Sequence, residues 1–401
     1  MRVCSSLNAT LLTGAAYAAP VTTDDACSPA IERDINEFQA AFEELAATAK
    51  AVHTASLANS TGTCTVDNIV IRKEWSTLSS TEKSAYIDAV LCVQNSAALT
   101  PTSLIPGVRS RFDDFVGTHI NQTLNIHYTG TFLAWHRWFT YNYEQLLKNE
   151  CGYTGTQPYW NWGLTADNTT KSGQLFDGSE LSMSGNGEFI ANKSDLQLTL
   201  GSYPIVYLPA GDGGGCVTSG PFANMSVNLG PVSLPLNGGD VETGTGLDYN
   251  PRCLERDLGT EVNALYANFT SIVDLITSRT NIYDFQTWMQ GYPGSGSIGV
   301  HGGGHFTIAG NPGADVFTSP GDPAFYLHHG MIDRVWWIWQ NLDLETRQNP
   351  ISGTGTFLNY PESANTTLDT VIDIGYAVLG ASIAMSELMS TISGPFCYTY
   401  E

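Results

Sequence analysis

The sequence predicts a mainly α-helical domain with long loops and a few short β-strands. Apolar residues recur at spacings of three and four, which is typical of amphipathic helices. This pattern covers five segments: residues 28–57, 78–94, 131–150, 254–290 and 322–345. Residues 165–250 are instead rich in Gly, Ser, Asn and Pro, which favours long ordered loops. Because the chain shows no repeat, linker or second compositional block, one domain is expected over residues 20–401.

The N-terminal segment predicts secretion. Residues 1–19 contain one basic residue, a short apolar stretch and an Ala-x-Ala site, which together resemble a secretory signal peptide. We therefore expect an extracellular glycoprotein. Seven Asn-x-Ser/Thr sequons follow this segment, beginning at Asn59, Asn121, Asn168, Asn192, Asn224, Asn268 and Asn365.

The charge balance restricts the partners of the protein. The chain has 17 basic and 39 acidic residues, with a net charge of −22. Such an acidic chain is not expected to bind nucleic acid or an anionic membrane through its overall charge. No apolar run reaches the roughly 18 residues of a transmembrane helix, so no membrane span is expected. The oligomeric state is not indicated.

The cysteines predict disulfides. Their wide and irregular spacing, without Cys-x-x-Cys, favours structural bridges over a zinc site. The eight cysteines are Cys4, Cys27, Cys64, Cys92, Cys151, Cys216, Cys253 and Cys397. Removal of Cys4 with the signal leaves seven, so three bridges and one free thiol are expected. The spacing leaves the pairing open, although a Cys27–Cys397 bridge would join the two ends of the chain.

Seven of the eight histidines fall into two groups. The groups are His119, His127 and His136, and then His301, His305, His328 and His329. Histidine is the commonest protein ligand of transition metals. The eighth, His53, lies near the end of the first helix and is expected on the surface there.

Helix geometry separates the members of the first group. His127 and His136 are nine positions apart in the sequence, which would place them on opposite sides of one helix. We therefore expect His127 in the loop before the helix that carries His136. His119 is expected where an earlier helix ends.

The second group has a different geometry. His301 and His305 are four residues apart and share a helix face, although each of the three glycines between them costs that helix roughly 1 kcal/mol. Apolar periodicity buries both His328 and His329 and does not choose between them. Groups of imidazoles without neighbouring Cys or carboxylates favour copper or zinc over calcium or magnesium. The lack of His-Glu-x-x-His counts against a zinc protease.

Longer motifs surround these histidines. They include GTFLAWHRWFTYNYEQLL, HGGGH, DPAFYLHHGMIDRVWWIWQ and PYWNW. Together they resemble the type 3 copper proteins (tyrosinases, catechol oxidases and polyphenol oxidases), especially the secreted fungal short enzymes, from about Cys64 to the C terminus. The resemblance implies a central four-helix bundle that holds two copper ions, with O2 as co-substrate. The final Tyr398-Thr399-Tyr400 resembles the Tyr-x-Tyr that closes the catalytic domain in this family, so no C-terminal shielding domain is expected.

The resemblance also implies which histidines are catalytic copper ligands. The first copper would be held by His119, His127 and His136. The second copper would be held by His301, His305 and His329, because the second histidine of the His-His pair is the ligand in this family. Behind the ligands, the resemblance implies supporting roles for His328, Asp333 and Arg334.

The implied reaction is oxidation of o-diphenols (catechols) to o-quinones with reduction of O2 to water. Monophenol hydroxylation in the family is linked to an Asn after the first ligand of His-x-x-x-His, where this chain has Gly302. It is also linked to an upstream Glu, for which Gln290 is the nearest candidate. Both differences favour weak or absent monophenol hydroxylation.

Further positions of the expected substrate pocket come from the same resemblance. Plant catechol oxidases often place a Phe over one copper, and Val316 at the corresponding position predicts an open site. Phe306 completes this pocket with Gly302, Val316 and Gln290. In many relatives a Cys forms a thioether to the second ligand, but this chain has Asn125 there, so no crosslink is expected.

Other functions are compatible with the same residues. A tyrosinase or an o-aminophenol oxidase would use the same ligands. A haemocyanin-like oxygen carrier is disfavoured by the chain length, the single domain and the open site. The remaining alternative is a structural or zinc-binding secreted protein.

Overall fold

The computed structural model describes residues 29–236, 239–242, 244–375 and 380–401. The predicted signal peptide and Cys27 lie outside the described residues. The α-helices within these ranges are α1 (Pro29–Ala58), α2 (Ser80–Asn95), α3 (Arg111–Ile126), α4 (Phe132–Cys151), α5 (Thr260–Tyr266), α6 (Phe269–Ser278), α7 (Ile282–Gln290), α8 (Gly299–Ile308), α9 (Ala324–Asn341) and α10 (Leu344–Arg347). Across these ranges, every helix is too short or too polar to cross a membrane.

The strands are short and pair two by two. They are β1 (Val70–Arg72), β2 (Gly187–Phe189), β3 (Leu196–Leu198), β4 (Val206–Leu208), β5 (Gly214–Val217), β6 (Ser226–Val227), β7 (Ser233–Leu236), β8 (Gly239–Glu242), β9 (Arg252–Cys253), β10 (Val371–Ile372), β11 (Ile383–Ala384) and β12 (Tyr398–Tyr400). The pairs are β1–β12, β2–β5, β3–β4, β6–β9, β7–β8 and β10–β11. Most of them lie in the loop-rich middle, as the composition predicts.

The helical periodicity predicts most helices correctly, but it predicts one long segment where three helices form. Residues 254–290 contain α5, α6 and α7. Asparagine side chains cause the interruptions, because Asn268 and Asn281 accept hydrogen bonds from the free amides of Ser271 and Asp284 and so cap new helices. The glycine-rich HGGGH segment is helical, within α8.

The four helices α3, α4, α8 and α9 form the predicted four-helix bundle, and aromatic side chains fill its core. Phe115 of α3 contacts Phe139 of α4 with ring centroids 5.1 Å apart. Tyr143 of α4 stacks on Tyr326 of α9 at 3.4 Å. Because large rings keep their shape, this core fixes the spacing of the helices.

Three disulfides connect the described cysteines, and the prediction of three bridges is confirmed. They are Cys64–Cys397, Cys92–Cys151 and Cys216–Cys253. The sequence leaves the pairing open, and the Cys27–Cys397 bridge considered there does not form, because Cys397 bonds to Cys64. Strands β1 and β12 run parallel, with Val70 opposite Tyr398, so the chain before β1 lies beside Cys397.

The expectation that His53 lies on the surface is also wrong. His53 is buried in α1, with its ring 5.3 Å from that of Trp337 in α9. Its Nε2 makes a 2.9 Å hydrogen bond with the Thr391 hydroxyl. The sequence suggests that this end of α1 is exposed. It is instead covered by α9 and by the chain that leads to β12.

The burial of His53 predicts acid sensitivity. Burial, with a smaller contribution from the Arg137 guanidinium, lowers the pKa of His53 from 6.5 to about 4. Because the folded pKa lies below the unfolded one, the stabilisation is present above pH 6.5 and is lost as the pH falls towards 4. We therefore expect the free energy of unfolding of the unmodified protein to fall between pH 7.5 and pH 5.5. In His53→Gln this fall should be smaller by about 1.4 kcal/mol. Urea unfolding of both proteins at the two pH values measures this difference, and parallel losses would contradict it.

Candidate metal centre

The first histidine group comes from two helices of the bundle. His119 lies inside α3, His127 is the residue directly after α3, and His136 lies inside α4. The expectation that α3 ends near His119 is wrong, because Ile120 and Ile126 extend its buried face for two more turns. Eight residues separate His119 from His127, so both rings project from the same side of α3.

Backbone carbonyls orient all three rings of this group. The Nδ1 atoms donate to the carbonyls of Phe317 (His119, 2.8 Å), Thr123 (His127, 3.0 Å) and Phe132 (His136, 2.8 Å). A carbonyl only accepts, so Nδ1 carries the hydrogen and Nε2 keeps its lone pair. The buried Nε2 atoms of His119 and His136 have no hydrogen-bond partner among the described residues. Such unpaired lone pairs fit a metal ion.

The second group combines α8 and α9. His301 and His305 project from one face of α8, as predicted, and His328 and His329 are adjacent in α9. Nε2 of His329 lies 3.4 Å from Nε2 of His305. His328 instead accepts a 3.1 Å hydrogen bond at Nδ1 from the Trp162 indole. This geometry favours His329 over His328 as the partner of His305.

The two groups face each other across the bundle. The rings of His136 and His329 stack with centroids 4.5 Å apart, and those of His127 and His301 are 5.8 Å apart. Within each group, the potential ligand atoms all lie within 4.8 Å of one another. As found in the described residues, the two groups contain histidines alone, without a carboxylate or thiol. This arrangement suits two adjacent transition-metal ions.

The electrostatics of the site keep the rings neutral. Burial lowers the pKa of His127 to about 4 and that of His305 to about 3. The pKa values of the other rings are lowered in the same way, by burial first and then by neighbouring imidazoles. Neutral imidazole is the form that binds a metal, because a lone pair is then available.

The glycines between His301 and His305 allow close packing. A Cβ atom on Gly304 would lie 2.2 Å from Nδ1 of His328, and one on Gly303 would lie 2.9 Å from Cβ of Tyr266. A Cβ atom on Gly302 would meet Cβ of Ile298 at 3.0 Å. Gly303 and Gly304 therefore make room for side chains of α5 and α9. The lack of a Cβ atom at Gly304 lowers the helix propensity but lets His328 lie close to α8.

The residues expected around a substrate lie at different depths. Gly302 is buried in α8, whereas Val316 is 39% exposed. Phe306 packs against the small apolar cluster beside β4 and α5. Gln290 is buried at the end of α7, where Oε1 accepts from the Tyr128 amide at 2.7 Å. Their contact with a substrate stays a prediction.

Asp333 is the centre of a buried charge network that the sequence does not show. Its carboxylate pairs with Arg137 at 2.5 Å and Arg72 at 3.4 Å, and it accepts from the hydroxyls of Tyr398 at 2.6 Å and Tyr400 at 2.5 Å. Burial alone would raise the pKa of Asp333, but the two guanidinium groups and the two hydroxyls hold it below its usual value. The charge therefore stays on Asp333 inside the protein.

The role of Arg334 is different from that of Asp333. Its buried guanidinium lies over the rings of Phe42 and Tyr159, at 4.9 and 4.8 Å. Its contact with Phe42 packs α9 against α1. Sequence reasoning missed Arg137 and Trp162. The sequence signal that could have identified Arg137 is its place as a charged residue inside the aromatic run WHRWF.

A four-helix bundle with two facing groups of neutral imidazoles defines a dinuclear metal protein. A family model described as the common central domain of tyrosinase matches residues 109–342. The chain belongs to the tyrosinase family. Membership of this family implies a dinuclear copper site, and the oriented Nε2 lone pairs fit two such ions.

Named relatives agree with this assignment. The chain is 40% identical over 335 residues to "Tyrosinase P" of Aspergillus terreus, covering 83% of this chain and 92% of the relative. It is 38% identical to an N-acetyl-6-hydroxytryptophan oxidase of Emericella nidulans, with 84% and 94% covered. The fold matches a glycine-to-asparagine variant of polyphenol oxidase from Thermothelomyces thermophila with a TM-score of 0.84 and 43% identity, over 90% and 98% of the two chains.

The Asp333 network predicts a large stability effect. Asp333→Asn keeps the size of the side chain but removes the carboxylate that pairs with Arg137 and the more distant of two carboxylates at Arg72, which keeps Glu144 at 2.6 Å. Breaking a buried ion pair in this way costs about 3–5 kcal/mol. The matched control is Asp274→Asn, because exposed Asp274 pairs with Arg279 at 3.4 Å and should lose at most about 1 kcal/mol. Equal losses in chemical unfolding would show that the network does not stabilise the bundle.

Proposed function

We propose that the protein is a dicopper catechol oxidase, which converts o-diphenols to o-quinones and reduces O2 to water. The observation that carries this proposal is the composition of the two facing groups. Both contain imidazoles alone, and no carboxylate of the described residues joins them. Such groups suit two copper ions, and within the part of the chain that the structure describes no carboxylate lies in them to act as a base for a monophenol.

The proposed reaction is balanced over two substrate molecules. Each diphenol loses two electrons and two protons, and one O2 takes up all four of each to give two water molecules. The bound copper ions supply the electron transfer. The protein holds them through the following six rings: His119, His127, His136, His301, His305 and His329.

The walls of the site give access to small phenols and limit water. The Phe132 ring lies 5.0 Å from those of His136 and His301, and the Phe325 ring lies 4.1 Å from that of His329. These apolar rings cover the histidines from within the bundle. On the outer side His305 is only partly buried, and Val316 is exposed. A flat aromatic substrate would enter from that side.

Tyrosinase or o-aminophenol oxidase activity is the second candidate. The relatives named above include a tyrosinase and an oxidase of a hydroxylated indole. Their names leave monophenol hydroxylation open as a property of this site. Gly302 counts against it, since glycine has no side chain with which to orient a base or a water.

We also propose that the protein is secreted and glycosylated. Three disulfides are typical of an oxidising compartment. Six of the seven sequon asparagines are exposed, whereas Asn268 is half-buried and caps α6.

A substrate panel tests the proposed activity. We expect the copper-loaded protein to consume O2 rapidly with catechol and slowly, after a lag, with tyrosine. Initial rates on catechol, tyrosine and o-aminophenol, measured with an oxygen electrode, rank the candidate functions. Absent O2 uptake with catechol would refute the catechol oxidase, and reversible O2 binding without turnover would indicate an oxygen carrier.

The same panel tests Gly302. We expect Gly302→Asn to raise the tyrosine-to-catechol rate ratio, because the new amide can orient a water or phenol beside the second group. Gly302→Ala is the matched control, since it brings the same Cβ against Ile298 without an amide. An unchanged ratio in Gly302→Asn would contradict this role.

A further inference from the structure

We propose that Tyr128 and Gln290 form a clamp that positions His127 for the first copper, so that Gln290 acts through the protein backbone. The inference rests on the proposed copper site. It assigns to Gln290 a role different from holding a water beside the substrate.

Three hydrogen-bond contacts join Tyr128 to the end of α7. The Tyr128 amide donates to Oε1 of Gln290 at 2.7 Å, and the Tyr128 hydroxyl donates to the carbonyl oxygens of Gln290 at 2.7 Å and Gly291 at 3.0 Å. The clamp therefore holds Tyr128 at its backbone and at its side-chain tip. A residue with both ends fixed has little freedom to rotate.

The backbone of Tyr128 explains why such a clamp is needed. Its φ angle is +48°, in the left-handed region that non-glycine residues rarely adopt. A conformation of this kind costs on the order of 1–3 kcal/mol and persists only where neighbouring groups enforce it. Because His127 precedes Tyr128 and lies just past the end of α3, relaxation of Tyr128 would move the His127 ring.

Gln290 is itself held in one orientation. The side chain is buried, and Nε2 donates to the carbonyl of Gln286 at 3.1 Å. Gln286 in turn donates to the carbonyl of Ser352 at 2.6 Å. With Nε2 committed to one carbonyl, Oε1 must face Tyr128. The amide oxygen and one N–H of Gln290 are thus used within the protein.

The loop after α10 holds the same segment from the other side. The Gly130 amide donates to the Thr354 carbonyl at 3.0 Å, and Asn125 donates from Nδ2 to the Gly355 carbonyl at 2.8 Å. The Phe357 ring packs on Tyr128 at 5.2 Å. Residues 125–130 therefore lie between this loop and α7. Asn125 stands at the position where many relatives have the Cys that forms a thioether to the second ligand. In this protein it makes a noncovalent contact with the loop instead.

The clamp also connects the two metal groups. Gln290 ends α7, and the following residues lead into α8, which carries His301 and His305. The His127 and His301 rings lie 5.8 Å apart. A contact that fixes Tyr128 against the end of α7 therefore sets the position of a first-group ligand relative to the second group.

Copper retention tests the clamp. Gln290→Met keeps the volume of the side chain but removes the acceptor, and Tyr128→Phe removes the hydroxyl alone. We expect each variant to lose one copper about 10-fold more readily during dialysis against a graded copper chelator, as is typical when a residue that orients a metal ligand is changed. Metal analysis of the protein gives the copper retained per chain.

Matched controls separate positioning from general stability. Gln157→Met removes the hydrogen bonds of another buried glutamine, which donates to Tyr86 at 3.0 Å and to Pro158 at 3.1 Å. Tyr141→Phe removes the hydroxyl of a half-buried tyrosine that donates to Pro395 at 2.8 Å. Both controls should retain two coppers. Equal copper loss in the controls and the clamp variants would overturn the clamp, because instability alone would then explain it.

Histidine variants identify which copper is affected. In a His329→Ala background, Gln290→Met should still weaken the remaining copper. In a His127→Ala background it should have no further effect, since the clamped ligand is already absent. The reverse pattern would overturn the clamp. An unmodified protein that retains no copper would instead refute the proposed copper site, so the two failures are distinguishable.

Discussion

The buried carboxylate of Asp333 is the constraint on which the arrangement of the ligand helices depends. It lies one turn after His329 in α9 and pairs with Arg137, which directly follows His136 in α4. The two helices that face each other across the metal centre are therefore joined by a charge pair next to their ligands. Arg72 of β1 and the tyrosines of β12 close the same network. Each buried charge would be costly alone, so the parts are stable only together.

Ligand orientation follows from this framework and from backbone carbonyls. Carbonyl oxygens accept from Nδ1 of each ring in the first group, which leaves the lone pair on Nε2. Close packing at Gly304 lets His328 fill the space behind α8, where Trp162 holds it. Hydrogen bonds within the protein thus orient the rings of the first group. Pre-orientation of this kind lowers the cost of assembling two three-ligand sites.

Local sequence patterns predict the helices and the histidine groups, which depend on residues that are close together in the sequence. Helical periodicity predicts α1, α2, α4 and α9, and histidine spacing brings out both metal groups before any fold is known. Features set by distant contacts are missed. The burial of His53 depends on Thr391, the partner of Cys397 depends on the pairing of β1 with β12, and the length of α3 depends on core packing. Apolar periodicity buries His328 and His329 equally, so the choice of His329 comes from the family resemblance, and the positions of Trp162 and His305 agree with it.

Anomalous diffraction at the copper edge, from crystals of the copper-loaded protein, tests the central claim most directly. We expect two copper peaks. One should lie within bonding distance of Nε2 of His119, His127 and His136, and the other within bonding distance of His301, His305 and His329, with His328 still bonded to Trp162. A single peak, or coordination by His328 in place of His329, would contradict the arrangement described above.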